Sequence, residues 1–283
     1  MNGTKIWASF IIALIIVGAV AWYVGDYFGY ERGTTSPPPT VFQSIVDTGK
    51  IIVGTSADYP PYEYINETTG NIEGFDVDMV NALVAKLNEA EGTSIEVEWK
   101  NMDFDALIGA LQTGTIDMIA AAIMLTEERI PEMEYTTPYY YPNEAMLIHS
   151  DSTITLTEIE DVATLGLKVG VQTATTEWED MDNLVKDGKM SSSNLIEEPK
   201  AYTLITELVS GTIDVVYIDE PPARMYAQTN PIKVALVVSA EPDVFYFPRG
   251  ATTLRDKANT ALVALHVDGT LSTLIAKWFA PTT

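Results

Sequence analysis

Beyond residue 40 the apolar positions alternate between two spacings. Residues 50–56, KIIVGTS, form a short apolar run that closes on polar residues, the pattern of a buried strand ending in a turn. Residues 75–92, FDVDMVNALVAKLNEAEG, repeat at helical spacing, with Asp76 as the expected cap and Gly92 as the stop. SIEVEW at 94–99 alternates as a strand, FDALIGALQTG at 104–114 reads as a short amphipathic helix, and TIDMIAAAIM at 115–124 as a buried strand. Strands alternating with helices predict largely parallel sheet covered on both faces.

The order then recurs. LKVGVQTATT at 167–176 is a strand running into a polar turn, AYTLITELVSG at 201–211 a helix, and TIDVVYIDEPPA at 212–223 a strand with a polar end. GTIDMI at 114–119 and GTIDVV at 211–216 place the same glycine turn before the same kind of strand. The repetition predicts two α/β lobes of similar build. In open α/β sheets ligands sit beyond the carboxyl ends of strands. Four such ends carry notable residues: 56–59 with Ser56 and Tyr59, 122–129 with Ala122, Met124 and Arg129, 172–176 with Gln172, Thr175 and Thr176, and Ile218-Asp219. Two come from each lobe, so lobes that face each other would line one cleft with all four.

Residues 6–24, IWASFIIALIIVGAVAWYV, carry no charge and are long enough for one transmembrane helix. Lys5 precedes this run and acidic residues follow it, which orients the rest of the chain outside. A membrane anchor is expected in preference to a cleaved signal peptide, because the apolar run continues past the Ala19-Val20-Ala21 cleavage-like site. Residues 31–40, ERGTTSPPPT, form a stiff, Pro-rich linker. The expected organisation is therefore an anchor or signal segment over 1–30 and a linker over 31–40, followed by the two lobes.

The net charge of −24 repels phosphate backbones, so nucleic acid is not an expected partner. With no cysteine and only His149 and His266, neither thiolate chemistry nor a histidine metal site nor a Ser-His-Asp triad is expected. No cofactor motif occurs, and no cofactor or metal is expected.

Against that acidic background Arg129 stands among Glu127, Glu128, Glu132 and Glu134. It is either a solvated partner of those glutamates or a guanidinium held at a strand end to grip a ligand carboxylate. Asp219, ahead of Glu220-Pro221-Pro222, is either a helix cap or the complementary charge. Facing each other across a cleft, the two would match the carboxylate and ammonium of an α-amino acid.

At this point the chain resembles the extracellular solute-binding proteins, family 3, of polar amino acid ABC importers, relatives of glutamine- and histidine-binding periplasmic proteins. The carrying segments are ADYPPYEY (57–64), GFDVDM (74–79), MDFDALIGALQTGTIDMIAA (102–121), TEERIPEMEYTTPYYY (126–141), VGVQTATTE (169–177), GTIDVVYIDEPPA (211–223) and DGTLSTLIAKWF (268–279). The resemblance implies a type II periplasmic-binding-protein-like clamshell with two hinge crossings. Lobe 1 would comprise 41–140 and 245–283, and lobe 2 would comprise 141–244 with hinge strands at both ends. It implies that Arg129 binds the α-carboxylate with backbone N–H groups of Met124 and of Thr175 or Thr176. Asp219 and the carbonyl of Ala122 would take the ammonium, and Tyr59 and Phe104 would pack on the ligand side chain. Ser56, Gln172 and Ile218 would select that side chain. Met124 replaces a usual hydroxyl residue and Ala174 a usual glycine. A pocket with no formal charge beyond this pair implies an uncharged amino acid, although Glu63, Glu73 or Glu144 could approach and admit lysine or arginine. The implied partner is an ABC permease served by a monomeric binding unit. Alternatives are a cyclohexadienyl dehydratase-like enzyme, with Glu177 or Asp219 as acid, and a ligand-sensing domain.

Overall fold

The structure, a computed structural model, describes residues 40–279. The expected anchor and nearly all of the linker lie outside the described residues. Among the described residues no helix is long and apolar enough to cross a membrane.

The strands, in chain order, are β1 (Lys50–Thr55), β2 (Asp58–Tyr59), β3 (Glu63–Ile65), β4 (Ile72–Glu73), β5 (Glu96–Asn101), β6 (Met118–Ile119), β7 (Glu134–Tyr135), β8 (Asn143–His149), β9 (Val169–Gln172), β10 (Leu195–Glu198), β11 (Val215–Asp219), β12 (Ile232–Ser239) and β13 (Tyr246–Phe247). The helices are α1 (Val41–Thr48), α2 (Phe75–Glu91), α3 (Leu107–Gln112), α4 (Asp161–Thr164), α5 (Thr176–Lys186), α6 (Ala201–Ser210), α7 (Glu220–Thr229), α8 (Thr252–Val267) and α9 (Thr270–Phe279).

They build two five-stranded sheets, ordered β5-β1-β6-β13-β7 and β10-β9-β11-β8-β12, and a small three-stranded sheet, β2-β3-β4. In the first sheet the three expected strands, β5, β1 and β6, are parallel; in the second the two expected strands, β9 and β11, are parallel and are joined by a parallel β10 that the sequence pattern does not mark. The remaining pairings in these two sheets are antiparallel, because β8, β12 and β13 flank the two passages of the chain between them. Both five-stranded sheets are therefore mixed. From β13 onward the chain is back in the first lobe, where α8 packs along α2 and α9 packs on both.

The repeated GTID segment explains why the lobes are alike. Gly114 and Gly211 adopt φ of 70° and 75°, and each donates its N–H back into the helix before it. Ile116 and Ile213 then drop over glycines in the neighbouring strands, Gly54 of β1 and Gly170 of β9. Asp117 Oδ2 accepts the N–H of Ile52 at 2.9 Å, and Asp214 Oδ2 accepts that of Lys168 at 2.8 Å. The same four residues thus close helix on strand twice.

Asp76 does not cap α2. Gly74 occupies the cap position without a side-chain bond, and the buried Asp76 carboxylate points inward. It accepts the N–H of Ala122 at 2.9 Å and the Tyr139 hydroxyl at 2.8 Å. Asp76 therefore holds the strand end that leads into the cleft.

Candidate functional site

The carboxyl ends of β1, β6, β9 and β11 converge on one cavity between the lobes. Ten of the residues singled out in the sequence line it: Ser56, Tyr59, Phe104, Ala122, Met124 and Arg129 from the first lobe, and Gln172, Thr175, Thr176 and Asp219 from the second. Ile218 does not. Strand alternation turns its side chain away from that of Asp219 and into the hydrophobic core, where it is 1% exposed.

Arg129 is buried, and none of the four nearby glutamates pairs with it. Glu127, Glu128 and Glu132 are exposed, and Glu134 pairs with Arg255. Thr126 closes the turn, its hydroxyl accepting the Arg129 N–H at 3.3 Å. The guanidinium donates to the carbonyl of Met124 through Nη1 and to that of Ala174 through Nη2, each at 3.0 Å. One bond lies in each lobe. Of the five N–H donors of a guanidinium, two are used so. Ala122 and Ala174, the two non-glycine residues at positive φ among the described residues (45° and 63°), shape these turns. A left-handed alanine costs about 1–2 kcal/mol, so the surrounding packing enforces both.

Asp219 stands at the N-cap position of α7 but makes no capping bond. Its Oδ2 instead accepts the Tyr59 hydroxyl at 3.0 Å, while its backbone N–H donates to the same hydroxyl at 2.9 Å. Its Oδ1 is buried without a hydrogen bond. Thr175 caps α5, its hydroxyl oxygen accepting the Trp178 N–H at 3.2 Å. That brings the amide-rich start of α5 to the cavity wall, where helix geometry favours an anion.

The cavity also holds two of the acids that the sequence left open, Glu63 as an approaching carboxylate and Glu177 as the acid of the enzyme alternative. Each is buried with one carboxylate oxygen free of hydrogen bonds, Oε2 and Oε1 respectively. Burial pushes Glu63, Glu177 and Asp219 well above the ordinary carboxylate range, and neighbouring carboxylates push them further. Behind them Glu144 accepts hydrogen bonds from Thr176 at 3.1 Å and from Tyr217, and burial raises it to about 7. Among the described lining residues Arg129 is the one cation. Glu63 sits on β3, beside the short β2 strand that carries Tyr59, and Glu177 one residue inside α5. Ser56 and Gln172 reach the cavity with their polar groups engaged elsewhere, the Ser56 hydroxyl donating to Asp58 at 2.9 Å and the Gln172 amide to the Pro199 carbonyl at 3.0 Å. Among the described residues no cluster of His, Cys, Asp or Glu is arranged to hold a metal.

The sequence profile of the bacterial extracellular solute-binding proteins, family 3, matches residues 51–281. The chain belongs to that family. It is 31% identical over 239 residues to the arginine-binding extracellular protein ArtP of Bacillus subtilis, covering 81% of this chain and 86% of that protein. It is 28% identical to a probable histidine-binding protein of Campylobacter jejuni, covering 80% of this chain and 83% of that one. Among solved structures, an ancestral arginine-binding protein bound to arginine superposes with a TM-score of 0.74 at 31% identity, covering 82% of this chain and 99% of that one. An ancestral amino acid-binding protein described as a precursor of cyclohexadienyl dehydratase superposes at 0.73 and 28% identity, covering 85% and 100%. The two-lobe fold of this family is therefore the fold of this chain, and its place is extracytoplasmic.

Proposed function

We propose that this protein is the solute-binding component of an ABC importer and captures an α-amino acid with a cationic side chain. The supporting observation is the charge layout of the inter-lobe cavity: Arg129 from one lobe, Asp219 from the other, and Glu63 and Glu177 beside them. Arg129 keeps three N–H donors for the ligand carboxylate, assisted by amides at Met124 and at the start of α5. Asp219, with the carbonyl of Ala122, takes the ammonium. Tyr59 and Phe104 flank the side chain, where aromatic faces favour a cation.

An uncharged ligand was expected from a pocket with no further formal charge, with the approach of Glu63, Glu73 or Glu144 as the condition for lysine or arginine. Glu63, with Glu177, lines the cavity and supports that second course. After one carboxylate meets the ammonium, two buried carboxylates remain without a counter-charge, an arrangement that is costly unless a cation joins them. Relatives named for arginine and histidine binding are in keeping with this reading. The anchor expected over residues 6–24 would tether the domain outside the membrane beside its permease. Ligand shifts the clamshell towards closure through contacts that exist only when both lobes are engaged.

The test is a thermal-shift screen against the common amino acids. Ligand at about 100 times its dissociation constant adds roughly 2.7 kcal/mol. L-Arginine, L-lysine or L-histidine should give the largest shift, and Glu63→Gln with Glu177→Gln should abolish the preference over L-glutamine. A largest shift from an uncharged amino acid overturns the side-chain assignment. No shift from any amino acid overturns the function.

One observation favours a second reading. Glu177 is a buried carboxylic acid held above its usual range at the cavity wall, the condition a general acid requires. Turnover of prephenate or arogenate would identify a dehydratase.

A further inference from the structure

The lobes also meet outside the ligand cavity, in a contact that completes a helix. Helix α6 of the second lobe starts at Ala201 after Lys200, whose backbone is extended (φ −126°, ψ 127°) as a cap residue's should be. Lysine, however, has no acceptor, and α6 has no capping bond of its own and no acidic residue in its first turn. The missing acceptor comes from the other lobe. Asp58, in β2, accepts the Ala201 N–H through Oδ2 at 2.8 Å.

Three further contacts converge there. Lys200 Nζ lies 2.8 Å from Asp103 and 3.9 Å from Asp58, both first-lobe carboxylates. The Tyr226 hydroxyl, on α7 of the second lobe, donates to the Asp58 carbonyl at 2.8 Å. The Ser56 hydroxyl donates to Asp58 Oδ1 and fixes the carboxylate. Asp58 is nearly buried, its side chain 9% exposed, so the bond is made in a place where it counts.

We infer that Asp58 is a positioning residue for ligand capture: a helix cap supplied in trans, present only while the lobes are closed. Opening strips α6 of its cap and leaves the Ala201 N–H to water, parts Lys200 from two carboxylates and frees the Tyr226 hydroxyl from the Asp58 carbonyl. Closure restores all three at once, whatever ligand the cavity holds. Part of the affinity is thus set outside the cavity, because a contact found only in the closed form raises the population that retains ligand. The effect falls on escape more than on entry, since ligand enters the open form.

Two consequences separate this from ordinary packing. The contact is a property of closure, so it governs the lobe separation of the protein without ligand. And it is redundant with a cap on α6 itself: Lys200→Asn places an acceptor at a cap position with suitable backbone, after which the Asp58 carboxylate becomes dispensable.

The chain has no cysteine, so Gln112→Cys and Thr206→Cys, exposed positions on opposite lobes, accept spin labels at those two sites alone. Distance distributions are recorded on the labelled full chain without ligand, then with L-arginine. The original protein should show a closed population without ligand. Asp58→Ala should lower the closed-to-open ratio about fivefold, the worth of a typical cap. Asp58→Asn, which keeps a capping oxygen, should lower it less. Tyr226→Phe, which leaves the first lobe untouched, should lower it in the same direction. In the Lys200→Asn background the effect of Asp58→Ala should fall below about twofold. L-Arginine should dissociate faster from Asp58→Ala by the same factor as the closed population falls.

Overturning results are an absence of any closed population in the original protein, or a distribution unmoved by Asp58→Ala. Equal effects in the Lys200 and Asn backgrounds would also overturn it. A purely structural role would lower the thermal midpoint while leaving the distances in place. The distance measurement decides whether or not L-arginine binds, so its failure is distinct from a failure of the proposed ligand.

Discussion

Tyr59 and Asp219 meet across the cleft through both capacities of one hydroxyl, which donates to Asp219 Oδ2 at 3.0 Å and accepts the Asp219 N–H at 2.9 Å. Tyr59 belongs to the first lobe and Asp219 to the second. On closure the phenol therefore fixes the orientation of the carboxylate, and it leaves Oδ1 without a partner on the cavity side, where a ligand ammonium would meet it.

Tyr59→Phe tests the bond without removing the ring, which stacks on Tyr62 at 6.2 Å between centroids. The variant leaves the Asp219 N–H buried and unpaired in the closed form, a penalty of about 1–3 kcal/mol. Ligand affinity should fall about tenfold. Titration calorimetry measures this, and an affinity within about twofold of the original would show that the bond does not report closure.

Ligand capture should release protons. Burial and mutual repulsion hold Glu63, Glu177 and Asp219 above the ordinary carboxylate range. An ammonium or guanidinium among them favours the ionised forms and brings those values down. Protons leave as the cation enters, so affinity should rise with pH through neutrality and weaken in acid. Calorimetry in buffers of differing ionisation enthalpy gives the number released. A slope of zero, or uptake, contradicts a cation bound against these groups.

The pH dependence of stability should have an unusual sign. Burial raises Asp76 to about 7 from an ordinary 3.8, against the opposing pull of its bonds from Ala122 and Tyr139. Glu144 rises to about 7 from 4.5, chiefly through burial. Between those ordinary values and about 7 the folded protein holds protons that the unfolded chain has lost, so stability falls as pH rises across that window. The contribution is complete below the ordinary values and gone above about 7. Thermal midpoints without ligand should therefore be higher at about pH 5 than at about pH 8. Asp76→Asn and Glu144→Gln should each flatten the profile; a midpoint that climbs with pH over this range would refute the assignment.

The repeat was the most legible feature of the chain. Gly114 and Gly211, and the isoleucine and aspartate that follow each, occur twice in the same order, and the contacts they make are local enough to be written in sequence. The four strand ends were legible for the same reason, and ten expected residues meet in one cavity. What periodicity could not show was the direction of a polar side chain. Asp76 was expected as a cap, but it lies inside α2 and serves as a core acceptor for another strand end. Glu63 and Glu177 were named only as alternatives, and their meeting in one cavity comes from the fold rather than from spacing. Ile218 lies beside Asp219 in sequence, but strand alternation sends the two apart. Asp58 acquires its role only from a helix about 140 residues away, whose own first turn lacks an acceptor.

The twofold architecture also makes a paired prediction about packing. A methyl group added at Gly170 would lie 2.6 Å from Ile213 Cδ1 and 2.8 Å from Leu204 Cδ2. One added at Gly54 would collide with Ile116 Cδ1 and lie 3.1 Å from Leu107 Cδ2. The obstructing atoms are side-chain ends, so the core can yield, at the roughly 1–3 kcal/mol usual for overpacking. Gly54→Ala and Gly170→Ala should each destabilise the fold by that amount in denaturant titrations. Shortening the isoleucine removes the obstruction. Ile116→Val alone should cost about 0.5–1.5 kcal/mol, yet in the Gly54→Ala background it should cost nothing or restore stability. Ile213→Val should do the same for Gly170→Ala and should leave Gly54→Ala unrescued, because each isoleucine covers only the glycine of its own lobe. Rescue across lobes, or additive losses within one, would mean that the two GTID closures do not pack as the same device used twice.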